Sequence, residues 1–169
     1  MEAFECLLTR RSVRNYTDAD ISDETLHKLL EAGANAPSAG NQQPWHFITV
    51  TSKNTLNSIA DNFPYGKMLP KAACAIIVCM NAKPRIYPEF AVQDCSAATQ
   101  NILLAAHALG LGGVWIGTYP LKEREEFLRQ TMNIPDDFTP FSVISIGYPA
   151  NPIAPMARLK LEMIHKERW

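Results

Sequence analysis

The run "AACAIIVCM" at residues 72–80 constrains this chain more than any other stretch. It is apolar at every position and short, so it reads as a central strand with no polar face. Such a strand must be covered on both sides, and the rest of the chain supplies the covers. A short helix is expected over 3–9, and Ser22 is a suitable N-cap for a helix reaching Ala34, with Leu26, Leu29, Leu30 and Gly33 on one face. Strand composition follows in "HFITVT", then a helix over 54–62. Beyond the central run, Pro84 and Pro88 break the chain before an Ala-rich helix from Phe90 to Leu109, which Gly110 stops. "GGVWIG" reads as a short strand, 121–132 as an amphipathic helix and 138–149 as a further strand. Helices come first and strands then alternate with helices, which argues for one mixed sheet covered on both sides. With no linker or repeat, the 169 residues form one domain.

The last stretch, 151–169, departs from this pattern. Prolines extend it, apolar and basic residues alternate, and it ends on Trp169. It can bury little on its own domain, and a partner subunit is its simplest receiver. The alanines Ala97, Ala98, Ala105 and Ala106 suit either close packing on that partner or burial in the chain's own core.

Composition removes several classes of function. A net charge of −1 carries no basic footprint for nucleic acid. Residues 102–117, the most apolar window, are too few to cross a bilayer and include His107 and four glycines. The opening "MEAFECLLTRRS" lacks a long apolar segment, so the protein is expected to be cytoplasmic, without a signal peptide. Cys6, Cys74, Cys79 and Cys95 form no CxxC pair, and Cys74 and Cys79 face opposite sides of their strand. His27, His46, His107 and His165 show no metal-ligand spacing, so no metal is expected.

The familiar catalytic devices are missing too. "GLGGVWIG" (110–117) places its glycines after a helix and before a strand, the reverse of the order a dinucleotide turn requires. There is no Walker sequence and no GxSxG elbow. Cys95 and His107 lie about 120° apart around one helix and cannot form a nucleophile–base pair. Two polar stretches remain. In "RRSVR" (10–14), an extended backbone projects Arg10, Ser12 and Arg14 to one side. Two guanidiniums and a hydroxyl can hold a phosphate there, although a solvated basic linker has the same composition. Arg158 could join them. In "APSAGNQQPWHF" (36–47), Ser38, Asn41, Gln42 and Gln43 offer donors and acceptors, Pro37 and Pro44 fix the ends, and Gly40 admits a close approach. That suits a flat heterocycle with amide edges, and equally an ordinary polar turn.

Taken in order, "RRSVRNY", "APSAGNQQPWHF", "GLGGVWIG" and "ISIGYPA" resemble the FMN-dependent nitroreductase family, over Arg10 to about Arg158. The resemblance implies an α+β fold: a three-layer α/β/α sandwich with a mixed, mainly antiparallel sheet and a C-terminal extension exchanged across a homodimer. It implies FMN at the subunit interface, with NADH or NADPH as donor and a nitroaromatic, quinone or other flat small molecule as acceptor in a ping-pong cycle. On that pattern Arg10, Arg11 and Ser12 hold the phosphate together with Arg158, while Arg14 and Lys67 lie near the flavin's pyrimidine and N1 edge. Pro37, Ser38, Ala39, Asn41 and Gln43 come from the second subunit. Trp115, Ile116 and Gly117 present backbone to N5 and O4. No protein acid, base or nucleophile is demanded, because the flavin carries the chemistry. Tyr87 and Phe90, in the short "NAKPRIYPEF" segment, are the candidates for stacking on substrate. Met156 and Pro64 depart from the family pattern, at a second basic position and at a ribityl-contacting asparagine. The same resemblance admits a flavin-dependent dehalogenase or flavin-fragmenting relative. A flavin-storing or sensing module without turnover is the alternative from another class.

Overall fold

The computed structural model describes residues 1–81, 86–151, 154 and 156–169. At its centre the apolar run becomes strand β2 (Cys74–Asn81), flanked by β1 (Trp45–Val50) and β4 (Phe138–Gly147), with β3 (Gly112–Gly117) beyond β4. Among the described residues the three strand pairings are antiparallel, and the parallel part of the expected mixed sheet reduces there to a bridge between Ser12 and Gly113. Both β1 and β3 are edge strands.

Helices α1 (Ala3–Thr9), α2 (Asp23–Ala34), α3 (Lys53–Asn62), α4 (Ala91–Ala108) and α5 (Lys122–Met132) pack around the sheet. They divide the core in two. Ala75, Ile77 and Cys79 point into one half, with Leu56 and Ile59 of α3 and Leu128 of α5. Cys74, Ile76, Val78 and Met80 point into the other, with Leu29 of α2 and Cys95, Ala98, Ile102 and Ala106 of α4. The period-two side-chain alternation of β2 thus builds both interfaces of an α/β/α sandwich, and it puts Cys74 and Cys79 on opposite faces.

Local chemistry explains the borders. Ser22 caps α2, its Oγ accepting the Thr25 N–H at 3.2 Å. Gly33 lets α2 close on α4, since a Cβ there would stand 2.8 Å from Ile102 Cγ1. Trp45 closes the polar loop by entering the α2–α4 core, 7% exposed. Of the four alanines singled out above, Ala98 and Ala106 are fully buried in the chain's own core, while Ala105 lines an open apolar cleft with Leu7 and Leu104. The tail from 156 to 169 stays exposed, including Leu159, Leu161, Met163, Ile164 and Trp169. The tail's extending prolines, and Pro84 with part of the short segment before α4, lie outside the described residues.

Candidate functional site

Three regions carry the polar residues singled out above. In the first, α1 leads directly into Arg10, Arg11 and Ser12. Val13 and Tyr16 turn inward, the Tyr16 hydroxyl reaching the Val13 carbonyl at 2.8 Å, while Ser12 and Arg14 face out. Burial of this phenol pushes its pKa up to about 12. Val13 donates to the Gly113 carbonyl at 3.0 Å and seats the segment beside the start of β3. Arg10 and Arg158 line one cleft of about 580 Å³ with Leu7, Leu8 and Met156. The Arg10 guanidinium loses proton affinity through desolvation first, then through the positive charges of Arg158 and Arg11. Among the described residues, no carboxylate lines this cleft. Clustered guanidiniums without a counter-charge are what an anion would relieve.

Arg11 has a different task from its neighbour. It donates from Nη1 to the carbonyls of Leu8 (2.8 Å) and Arg10 (2.7 Å) and from Nη2 to that of Met156 (2.8 Å), so one of its bonds pins the tail, while its buried Nε has no partner among the described residues. Arg11 thereby holds the Met156 backbone while it lines the same cleft as Arg10 and Arg158.

The opening loop lies at the other end of α4. Asp94, 5% exposed, accepts the Ala39 N–H at 3.0 Å and the Gln42 amide at 2.7 Å. Gln42 also exchanges two hydrogen bonds with the Tyr87 backbone, at 2.9 and 3.0 Å. These bonds hold Gly40, Asn41 and Gln43 at φ of 55°, 53° and 45°, in the left-handed region. At Gly40 a Cβ would also stand 2.7 Å from the Tyr87 ring. Ser38 Oγ accepts the Gln43 N–H at 3.0 Å, which leaves its own proton to give. The side chains of Asn41 and Gln43 are exposed, as is Pro37. Tyr87 and Phe90, both roughly half-exposed, meet edge to face beside this loop with ring centroids 6.3 Å apart. Sequence reasoning did not single out Asp94, and it treated Gln42 as a possible ligand contact rather than as a brace.

The third region is the open edge of β3. Because Gly113 turns its carbonyl away from β4, Trp115 and Gly117 do the same with their N–H and C=O groups. The side chain of Trp115 packs on Phe141 at 5.7 Å and Ile116 is buried, so the edge offers backbone rather than side-chain chemistry. Arg124 Nη1 occupies the Gly117 carbonyl at 2.6 Å. Lys67 is exposed on the turn that follows Phe63, whose ring lies 5.5 Å from the Arg124 guanidinium.

Spacing decides how these regions can cooperate. From Gly113, beside Ser12, to Gly117 is about 13 Å along β3, the reach of one elongated ligand. From Asp94 to His107, which touches Thr9 at 2.8 Å, is about 20 Å along α4. The arginines and the polar loop of one chain therefore stand too far apart to grip the same phosphate.

A model described as the nitroreductase family matches residues 7–74 and 61–148. The chain is 48% identical over 172 residues to an Archaeoglobus fulgidus protein named "Putative NADH dehydrogenase/NAD(P)H nitroreductase", with 99% of each covered. A crystal structure of a Bacteroides thetaiotaomicron protein of the same name superposes with a TM-score of 0.94 at 39% identity, covering 99% of this chain and 98% of that one. A Desulfovibrio desulfuricans protein crystallised in complex with FMN gives a TM-score of 0.88 at 31% identity, over 100% of this chain and 98% of the other.

Proposed function

This chain belongs to the nitroreductase family, and on that premise we propose that it is an FMN-dependent NAD(P)H oxidoreductase acting as a homodimer. The observation that carries this reading is the Arg10–Arg158 cluster, cations that share one cleft with no carboxylate among its described lining residues, beside the open backbone edge of β3. The donor set fits the cofactor: a phosphate would sit on Arg10, Ser12 and Arg158, and the ring would lie against Trp115, Ile116 and Gly117. Arg14 and Lys67 would supply positive charge toward the pyrimidine edge.

The distance along α4 supports the dimer. Since one chain's polar loop cannot reach its own arginine cluster, Pro37, Ser38, Ala39, Asn41 and Gln43 would come from the second subunit. Burial of the tail, 151–169, on that subunit would cover the apolar side chains that 156–169 now expose. FMN, when bound, would supply the redox chemistry between NADH or NADPH and a flat acceptor such as a nitroaromatic or quinone. The chain's part is to hold the phosphate, orient the ring, place charge and leave one face open. Tyr87 and Phe90 would stack on the acceptor. Donor and acceptor would use that face in turn, which is a ping-pong order.

The test is an absorption spectrum of the protein reconstituted with FMN, recorded before and after anaerobic NADH and NADPH. Bleaching at the rate of turnover is expected, and it identifies the donor. Bound flavin that stays oxidised with both would replace this reading with a storage or sensing module. Failure to bind FMN would refute it outright.

A further inference from the structure

Arg124 stands in the first turn of α5, where no motif drew attention to it. Its guanidinium is held from two sides: Nη1 donates to the Gly117 carbonyl at 2.6 Å, and the plane lies 5.5 Å from the centre of the Phe63 ring. Phe63 is 1% exposed, so this anchor is rigid. The arginine also forms part of the wall of a groove of about 630 Å³, with Asn62, Pro64, Lys122, Glu123 and Phe127. Lys122 is paired with Glu125 at 2.8 Å, and Glu123 contributes the opposite charge to the same wall.

The position along β3 gives Arg124 its meaning. Gly117 turns both its N–H and its C=O to the open edge, because on an antiparallel strand the two groups of one residue point to the same side. A ligand atom that accepts the Gly117 N–H therefore has the Arg124 guanidinium as its neighbour. We propose that Arg124 is a positioning residue for the cofactor's reactive edge. It fixes the Gly117 peptide and places a cation beside the atom which that peptide holds, so the protein binds the reduced, negatively charged ring in preference to the oxidised one. The inference rests on the flavin site proposed above. It adds a residue that acts through a backbone carbonyl, distinct from Arg14 and Lys67 at the other edge.

The experiment compares wild type with Arg124→Gln and Arg124→Lys. FMN affinity is measured by fluorescence for the oxidised and the dithionite-reduced cofactor, and the midpoint potential by spectroelectrochemistry. Arg124→Gln is expected to bind oxidised FMN within threefold of wild type and to lose about tenfold of its preference for reduced FMN. That loss is a shift of about 30 mV to more negative potential for a two-electron couple. Arg124→Lys should recover most of it, which a purely structural role would not predict. Full flavin occupancy at the wild-type potential in Arg124→Gln overturns the proposal and leaves the flavin site standing. A wild type that binds no FMN overturns both. Should Arg124→Gln not fold, Arg124→His keeps a donor at Gly117 and titrates. The potential is then expected to gain an extra downward step as the imidazole loses its charge, and the absence of that step overturns the proposal.

Discussion

Replacing Asp94 with alanine tests how the polar loop is held. The carboxylate accepts two hydrogen bonds, from the Ala39 N–H at 3.0 Å and from the Gln42 amide at 2.7 Å, while only 5% exposed. Bonds to a charged acceptor are worth about 1.5–3 kcal/mol each. Gln42 keeps its two bonds to Tyr87 and can turn its free N–H to water, so the half-buried Ala39 N–H is the group left without a partner. Removing a buried charge returns part of the cost of burying it. The net loss is about 2–3 kcal/mol. Against it stand Asn41 and Gln43, held at φ of 53° and 45°, a conformation that costs a residue with a side chain about 1–2 kcal/mol. Without Asp94, relaxation of those two residues becomes favourable and the loop leaves the shape that offers Ser38 and Asn41. A loss of 2 kcal/mol corresponds to roughly 30-fold in affinity. Asp94→Ala should therefore bind FMN about 30-fold more weakly in a fluorescence titration and melt about 4–8 °C lower by calorimetry. Asp94→Asn, which keeps one acceptor but sets an amide against the Gln42 amide, should lose about half as much. If Asp94→Ala keeps FMN affinity within threefold and melts within a degree of wild type, the loop is held by something other than this carboxylate.

Other expectations follow from the same geometry. Arg10→Ala and Arg158→Ala should each weaken FMN retention on gel filtration far more than they lower the melting temperature, and unchanged affinity in either would remove that residue from the phosphate site. His107 predicts a pH dependence. Thr9 Oγ1 gives its proton to the Glu5 carbonyl at 2.7 Å, so the ring nitrogen beside it must donate, and desolvation, followed by the charge of Arg10, lowers the imidazole pKa. The unfolded chain then binds the proton more readily than the folded one, so this contribution to stability is complete above the ordinary imidazole pKa and is lost as pH falls from there toward the folded value. Thermal melts across that window should show the loss in wild type and a flatter profile in His107→Gln, and an unchanged profile would assign the dependence to another group. The thiols of Cys74, Cys79 and Cys95 are pushed up to about 12 by burial, and Cys6 is raised as well. Iodoacetamide should modify none of the four in the native protein near neutral pH and all of them after denaturation; rapid native labelling would show that one is accessible.

Much of this architecture was legible because its causes are local. The unbroken apolar run "AACAIIVCM" needs no partner to be read, and it predicts two buried faces that the structure fills with α2 and α4 on one side and α3 and α5 on the other. Ser22 announces the start of α2 by its own chemistry. The side shared by Arg10, Ser12 and Arg14 follows from an extended backbone, and the inward turn of Val13 agrees with it. The order of the polar motifs led to the family without any contact being known.

What the sequence could not determine are the contacts that chain neighbours do not make. Arg10 and Arg11 are adjacent and chemically identical and both line the cleft shared with Arg158, yet it is Arg11 that is bound to three carbonyls, including that of Met156. Asp94 is one more polar residue at the start of an Ala-rich helix until the loop, more than 50 residues earlier, is laid against it. Arg124 is one charge in a charged helix until β3 ends under it. Secondary structure and burial follow from short-range periodicity and the cost of exposing apolar surface, which each segment carries within itself. The partner of a polar side chain depends on which distant segment the packed core brings within hydrogen-bond distance, so only the tertiary structure assigns it.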